Sequence, residues 1–343
     1  MIDTPQQALA AAEDKLRHPR RIKARKIARA MGERVARLYS AEWGMEIESC
    51  HKRGSVDVRA SGHLHSHPTI RCDHSRLCPY CAAHDANERV RRYLPVAQEA
   101  AKRYRMQFVT LTTPSVPLTK LKAQEKRLWA WWTLLRRRDV WGAVAGSTVS
   151  IETTYSVVHG WHVHLHGLLA IDWDKNFDWA AVQETWSEIS GAKIVRFQKV
   201  EPGQEEGPDF SKSLRELLKY PSKLAASARH PHPDEIAAGA DPEAWIVTPG
   251  VIDWPDEAVR EYIEWTRGLR TLRSYGVFYN PPEAPELQQP DDATDPVVAT
   301  VSWEWTERSD GLESLLVFLI QGHKSTSGGG DPGGDAPTYG PDS

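Results

Sequence analysis

Two neighbouring runs of alternating residues constrain this chain more than any other feature of it. Residues 147–157, STVSIETTYSV, and residues 161–171, WHVHLHGLLAI, flank a joint at His159-Gly160. Alternation with a period of two belongs to the β-strand, whose side chains point to opposite faces in turn, and a short Gly-containing joint marks an antiparallel hairpin. On the second run His162, His164 and His166 share one face, while Val163, Leu165 and Gly167 take the other. Imidazoles so placed stand roughly 6–7 Å apart along the strand, and adjacent ones can converge on a cation. A turn centred on residues 158–160 sets Glu152 opposite 164–166 and supplies a carboxylate, although a register slip of one would turn it to the wrong face. A lone strand histidine is ordinarily a half-buried residue. Three in register inside an apolar run point to a divalent metal held by an adjacent pair among His162, His164 and His166, with Glu152 as the carboxylate ligand.

Other segments assemble around that hairpin. Residues 106–113, MQFVTLTT, are rich in β-formers and stop before Pro114, and residues 192–200 read as another strand. Residues 121–139 and 179–190 carry helical periodicity, and a further helix runs from about Ser211 to Tyr220-Pro221. This order predicts an α+β fold with a mainly antiparallel sheet in a compact domain over residues 104–280. Ahead of it, residues 5–40 read as helix interrupted near His18-Pro19, making residues 1–45 a basic helical arm. Residues 46–92 hold every cysteine and read as a metal-stapled segment, loop-rich over 50–84. Residues 281–343 read as an acidic tail, largely disordered, with one added strand at 297–307 and a Gly- and Pro-rich end over 325–343. No internal repeat is evident.

The net charge of −3 conceals an asymmetry, because residues 1–38 carry ten Lys/Arg against four Asp/Glu and residues 281–343 carry two against twelve. Such a distribution suits contact with nucleic acid through the basic end, and equally suits two ordinary solvated faces. No run approaches the ~18 apolar residues of a membrane span, and the N-terminus has no signal-peptide core, so the expectation is a cytoplasmic protein without a membrane.

Cys50, Cys72, Cys78 and Cys81 are spaced C-x21-C-x5-C-x2-C. Four cysteines in a long intracellular chain make a poor disulfide framework, whereas the closing C-x2-C forms a tight knuckle that two more thiolates complete into a tetrahedral Zn²⁺ site. His74 is an alternative to Cys72, and His63, His65 and His67 are further competitors. Residues 213–225, SLRELLKYPSKLA, show two stripes. Leu214, Leu217 and Leu218 would pack inward, while Glu216, Lys219, Tyr220 and Lys223 share the opposite face. Pro221 kinks or ends the helix at Tyr220. A phenol, with a pKa of about 10, needs cationic neighbours or a metal to attack at neutral pH. Alone this face would be a solvated surface. The histidine strand changes that reading.

Taken in this order, the segments resemble one family, the rolling-circle replication initiators of bacterial plasmids within the HUH endonuclease superfamily. FVTLTTPSVP (108–117) is similar to its first motif, GWHVHLHGLL (160–169) to its metal-binding second, and ELLKYPSKL (216–224) to its third. RLCPYCAAHDANERVRR (76–92) resembles the zinc-binding segment that precedes the nuclease in one branch, and GLRTLRSYGVFYN (268–280) its usual close. The likeness covers roughly residues 46–280. It implies Mg²⁺ or Mn²⁺ on His164 and His166, structural Zn²⁺ on the four cysteines, Tyr220 as the nucleophile that becomes joined to the DNA 5′-phosphate, and Glu216 as the base that activates water to end a round. His162 is a histidine beyond the two that the motif requires. The partners implied are origin DNA, single-stranded or hairpin at the nick site, and host helicase and replication proteins. Lys219, Lys223, Arg136, Arg137 and Arg138 are candidate phosphate contacts.

Two alternatives stay open on the sequence. One is a single-strand transposase or relaxase of the same superfamily. Relaxases usually place the tyrosine before the histidines, and here it follows them; the next tyrosine after Tyr220 is Tyr262, which favours a single nucleophile. The other is a non-enzymatic, zinc-stabilised DNA-binding regulator whose histidines hold a structural metal.

Overall fold

A computed structural model of the chain describes residues 1–2, 4–192, 194–200, 214, 217–218, 224–225, 227–229, 246–284, 294–307 and 313–322. In chain order the elements begin with helices α1 (Pro5–Leu16), α2 (Pro19–Leu38) and α3 (Ala41–Ser49), then strands β1 (Arg53–Arg59) and β2 (Leu64–Pro68). Helix α4 (Pro79–Ala101), β3 (Tyr104–Thr112), α5 (Leu121–Leu135), β4 (Val144–Ser156), β5 (Gly160–Asp172) and α6 (Trp179–Ser190) follow. After these come β6 (Val195–Lys199), β7 (Ser227–Arg229), β8 (Ile246–Thr248), α7 (Asp256–Thr266), β9 (Leu272–Gly276), β10 (Val297–Glu307) and β11 (Glu313–Gly322). The fold is α+β, and its sheets pair antiparallel.

The chain divides into two compact units, one of Met1–His18, Arg53–His67 and Gln289–Ser343, the other of Pro19–Lys52 and Pro68–Gln288. In the smaller unit four strands run in the order β11-β10-β1-β2. Ala299, Val301, Trp303 and Trp305 alternate with polar residues along β10, and their shared face is buried together with Val56 and Val58 of β1. Helix α1 packs on these strands and buries Ala8, Ala12 and Leu16. The expected arm over residues 1–45 is therefore not one element. Its first helix belongs to the smaller unit, and α2 and α3 belong to the larger. Likewise the acidic tail contributes two sheet strands, the first spanning the 297–307 expected for it, while residues 325–343 lie outside the described residues. The span 50–84, expected to be loop-rich, instead contains β1, β2 and the start of α4.

In the larger unit five strands run in the order β6-β3-β5-β4-β9. The β4–β5 hairpin turns over residues 157–159, and Gly160 closes it with φ +75, where a Cβ would strike the Val116 carbonyl oxygen. The two faces of β5 separate into two cores. Val163, Leu165, Leu169 and Ile171 pack with α5, whose Leu121, Leu128, Trp129, Trp132 and Leu135 form one helical stripe, and with α6 and α7. On the histidine side, Leu168 and Ala170 pack with Met106 and Phe108 of β3, with Val90, Tyr93, Ala97 and Ala100 of α4, and with Leu214, Leu217 and Leu218. Helices α2 and α3 form a hairpin that crosses at Gly32 and Gly44. A Cβ on Gly44 would lie 2.5 Å from both the Gly32 oxygen and the Ala36 Cβ, so only glycine permits that approach.

Candidate metal centres

The hairpin register fixes the first centre. Glu152 pairs with His164 across β4 and β5, Ser150 pairs with His166, and Thr110 of β3 faces His166 from the other side. Pairing in register leaves the alternate side chains of three neighbouring strands on one face. Glu152 Oε2 therefore lies 2.9 Å from His166 Nε2 and 3.7 Å from His164 Nε2. One ligand atom from each of Glu152, His164 and His166 lies within 4.8 Å of the others. The carboxylate is only 10% exposed. Burial by itself raises the Glu152 pKa, but hydrogen bonds with His164 and His166, and their charges, outweigh it and hold the carboxyl well below its usual range. Glu152 is thus an anion ready to bind a cation.

The imidazoles are oriented as well. Thr110 Oγ1 lies 3.0 Å from His166 Nδ1. Without a metal, Nε2–H donates to Glu152 and Nδ1 accepts from the Thr110 hydroxyl; with a cation on the carboxylate, the ring proton would sit on Nδ1, donated to Thr110, and the Nε2 lone pair would be presented to the ion. His164 Nδ1 is buried with no hydrogen-bond partner among the described residues. Two imidazole nitrogens and one carboxylate form a donor set suited to a divalent ion with open coordination positions. His162 stands one step away, its ring 5.4 Å from that of His164, and burial, followed by the charge of His164, pushes its pKa down to about 4. It falls outside the close group. Thr110 was not singled out by sequence reasoning. Its signal was its place in the alternating run 106–113, and only the pairing of β3 with β5 gives that place meaning.

The second centre joins the end of α3, a loop and the start of α4. Cys50 follows α3 directly, Cys78 precedes Pro79 at the start of α4, and Cys81 lies in its first turn. The Sγ atoms of Cys50 and Cys72 each lie 3.6 Å from that of Cys81, and the four thiols lie within 4.8 Å of one another. A disulfide would bring sulfurs to about 2 Å. Tetrahedral Zn²⁺ with ~2.3 Å bonds separates them by roughly 3.7–3.8 Å. The observed spacing fits the metal. Hydrogen bonds shared among the thiols push the Cys81 pKa down and those of Cys72 and Cys78 up, so without a cation Cys81 is the most acidic thiol and a bound metal would have to displace the other protons. His74 is not a ligand here, because its Nε2 bonds Glu46 at 2.6 Å and its ring stacks on Trp43. His63, His65 and His67 lie along β2 or just before it, in the smaller unit. Among the described residues these two are the groups whose ligand atoms all lie within 4.8 Å of one another.

Tyr220, Glu216, Lys219 and Lys223 are outside the described residues. The leucines of the same segment are within them. Leu214, Leu217 and Leu218 are fully buried on the histidine side of the sheet, and Ser150 Oγ, one step along β4 from the Glu152 position, donates to the Leu217 carbonyl. Arg136 is stacked on Tyr275, its guanidinium carbon 3.3 Å from the ring centre, at the end of α5 and so on the opposite side of the sheet. Arg137 and Arg138 follow it and are exposed.

Residues 63–300, well over half of the chain, match the sequence profile of a family described as Replication protein. No curated protein and no solved structure matches the chain.

Proposed function

The chain belongs to the Replication protein family, the rolling-circle initiators of plasmids, and from that premise we propose that it nicks and rejoins one strand of origin DNA with Tyr220 as nucleophile. In this reading the larger unit is an HUH nuclease domain, and the α3–α4 cysteine centre is its zinc-holding entry. A divalent cation on Glu152, His164 and His166 would polarise the scissile phosphate and orient it for in-line attack. The Tyr220 oxygen, releasing its phenolic proton, then bonds to phosphorus, and the bond to the 3′ oxygen breaks. That oxygen takes up a proton to become the 3′-OH from which synthesis is primed. Reversal of the step rejoins the strand, because the phosphotyrosine conserves the phosphodiester bond. Glu216 takes a proton from water for the hydrolytic cleavage that ends a round.

One observation carries this reading. Leu214, Leu217 and Leu218 pack against the face of the sheet that bears His164 and His166, and Tyr220 follows Leu218 by two positions. The leucine stripe is thus packed on the histidine face, and the short sequence spacing from Leu218 to Tyr220 supports the reading that the phenol works at this metal centre. A regulator with a structural metal has no need of such a segment on that face.

The test is direct. Wild-type protein incubated with a labelled single-stranded origin oligonucleotide and Mn²⁺ should form an adduct that survives denaturation. Tyr220→Phe should abolish it while duplex binding persists. An adduct of wild-type strength in Tyr220→Phe would reject Tyr220 as nucleophile, and its absence from wild type on every origin fragment of the parent plasmid would reject the nuclease.

A further inference from the structure

We propose that the open face of the smaller unit's sheet holds an exchangeable divalent transition-metal ion through His65 and His67 of β2 and Asp57 of β1. The sequence HLHSH at 63–67 repeats the alternation that marks the β5 centre, and a strand places its odd-numbered histidines on one face. The rings of His65 and His67 stand 4.5 Å apart, close to the 4.7 Å between His164 and His166. Asp57 supplies the carboxylate from the neighbouring strand, with Oδ2 2.8 Å from His67 Nε2. Its other oxygen accepts a hydrogen bond of 2.8 Å from Thr300 Oγ1 on β10, which fixes the carboxylate with Oδ2 toward the histidine. Both sheets thus bear two histidines at alternate positions on one strand and a carboxylate, aimed at the second of them, on the next.

The two places differ in access and in span. His67 is 49% exposed and β2 is an edge strand, so an ion can enter and leave from solvent without opening the fold. The donors stand wider than in the two centres described above, so an ion is held by all three only once the His65 ring rotates toward Asp57. Imidazole pairs of this kind favour Cu²⁺, Ni²⁺ and Zn²⁺ over Mg²⁺. Without an ion the His67–Asp57 contact is a surface pair of little energetic weight. The site is independent of the nuclease reading.

Untagged full-length protein, zinc-loaded at the cysteines and carrying His164→Ala and His166→Ala, isolates this site. Titration with Ni²⁺ should show one equivalent bound, with a Kd on the order of micromolar. Cu²⁺ at one equivalent should show hyperfine coupling to two imidazole nitrogens in its electron paramagnetic resonance spectrum. Adding His65→Ala and His67→Ala should weaken Ni²⁺ binding at least about tenfold at an unchanged melting temperature, Asp57→Asn should weaken it less, and His63→Ala should leave it as it was. Binding that is undiminished by loss of His65 and His67, or no bound equivalent in the parent, overturns the proposal. If the double variant fails to fold, His67→Gln alone answers the question by the same titration.

Discussion

At the scale of the single residue, Thr110 shows how a neutral hydroxyl can set the chemistry of a charged centre. Its bond to His166 Nδ1 holds the ring with Nε2 toward Glu152, and in the metal-bound form the hydroxyl would accept the Nδ1 proton so that Nε2 is the ligand. Removing such a partner typically costs 10–100-fold in metal affinity. Thr110→Val should therefore weaken Mn²⁺ binding by about that factor, and Thr110→Ser should restore it, as calorimetric titration would read. Equal affinities in Val and Ser would mean that the contact orients nothing. Asp256 illustrates a different residue-scale effect. Arg37 first, then Arg34, bonds its carboxylate and holds its pKa well below the usual value. A depressed carboxylate pKa contributes stability that is present above the unfolded value and is lost as pH falls toward the folded one. Asp256→Asn should melt lower than wild type at pH 7, and the gap should begin to close only below about pH 4. A gap that stays constant down to pH 2 would count against the pairing.

At the scale of the element, legibility followed locality. The β4–β5 hairpin could be read because its period, its turn and its register are all set within 25 consecutive residues, 147–171. Helix α6 could be read over its full length, since Asp178 accepts from the Ala180 and Ala181 amides and so marks the start. Helix α4 was missed. Its N-cap and first turn each hold a cysteine, whose chemistry dominates that stretch, and Pro95 interrupts its interior. Strand β9 was read only as part of a closing motif, because five residues with little alternation carry no period. The tyrosine segment lay between these cases, for its leucine stripe was visible but its destination was not. Ser150 helps to set that destination by donating to the Leu217 carbonyl. A hydrogen bond of this kind contributes ~0.5–1.5 kcal/mol. Ser150→Ala should slow adduct formation several-fold while leaving Mn²⁺ affinity within about twofold of wild type. Loss of both together would place Ser150 in the metal centre instead.

At the scale of the whole molecule, two units are built from interleaved stretches of one chain. No local pattern announces that β1 pairs with β10, from Arg53 opposite Glu304 to Arg59 opposite Val297, because the partners lie more than two hundred residues apart. For the same reason the helical arm and the acidic tail read as separate appendages. The cysteine centre belongs wholly to the larger unit, with Cys50 before the excursion into β1 and β2 and Cys72 after it. A strong chelator should remove about one Zn per chain and lower the melting temperature of that unit. A loss of even ~3 kcal/mol would move the transition by roughly 6–12 °C in a domain of this size. An unchanged transition after complete metal loss would deny the centre a structural role.

The interleaving also imposes an order of birth. Every stretch of the larger unit has been synthesised once residue 288 is made, whereas β10 and β11 are synthesised only afterwards. Until then Val56 and Val58 of β1, and the apolar stripe of α1, have no sheet to join. The nascent protein must carry an unfinished half through most of its translation, and the last strands made are the ones that complete the partner of the first helix.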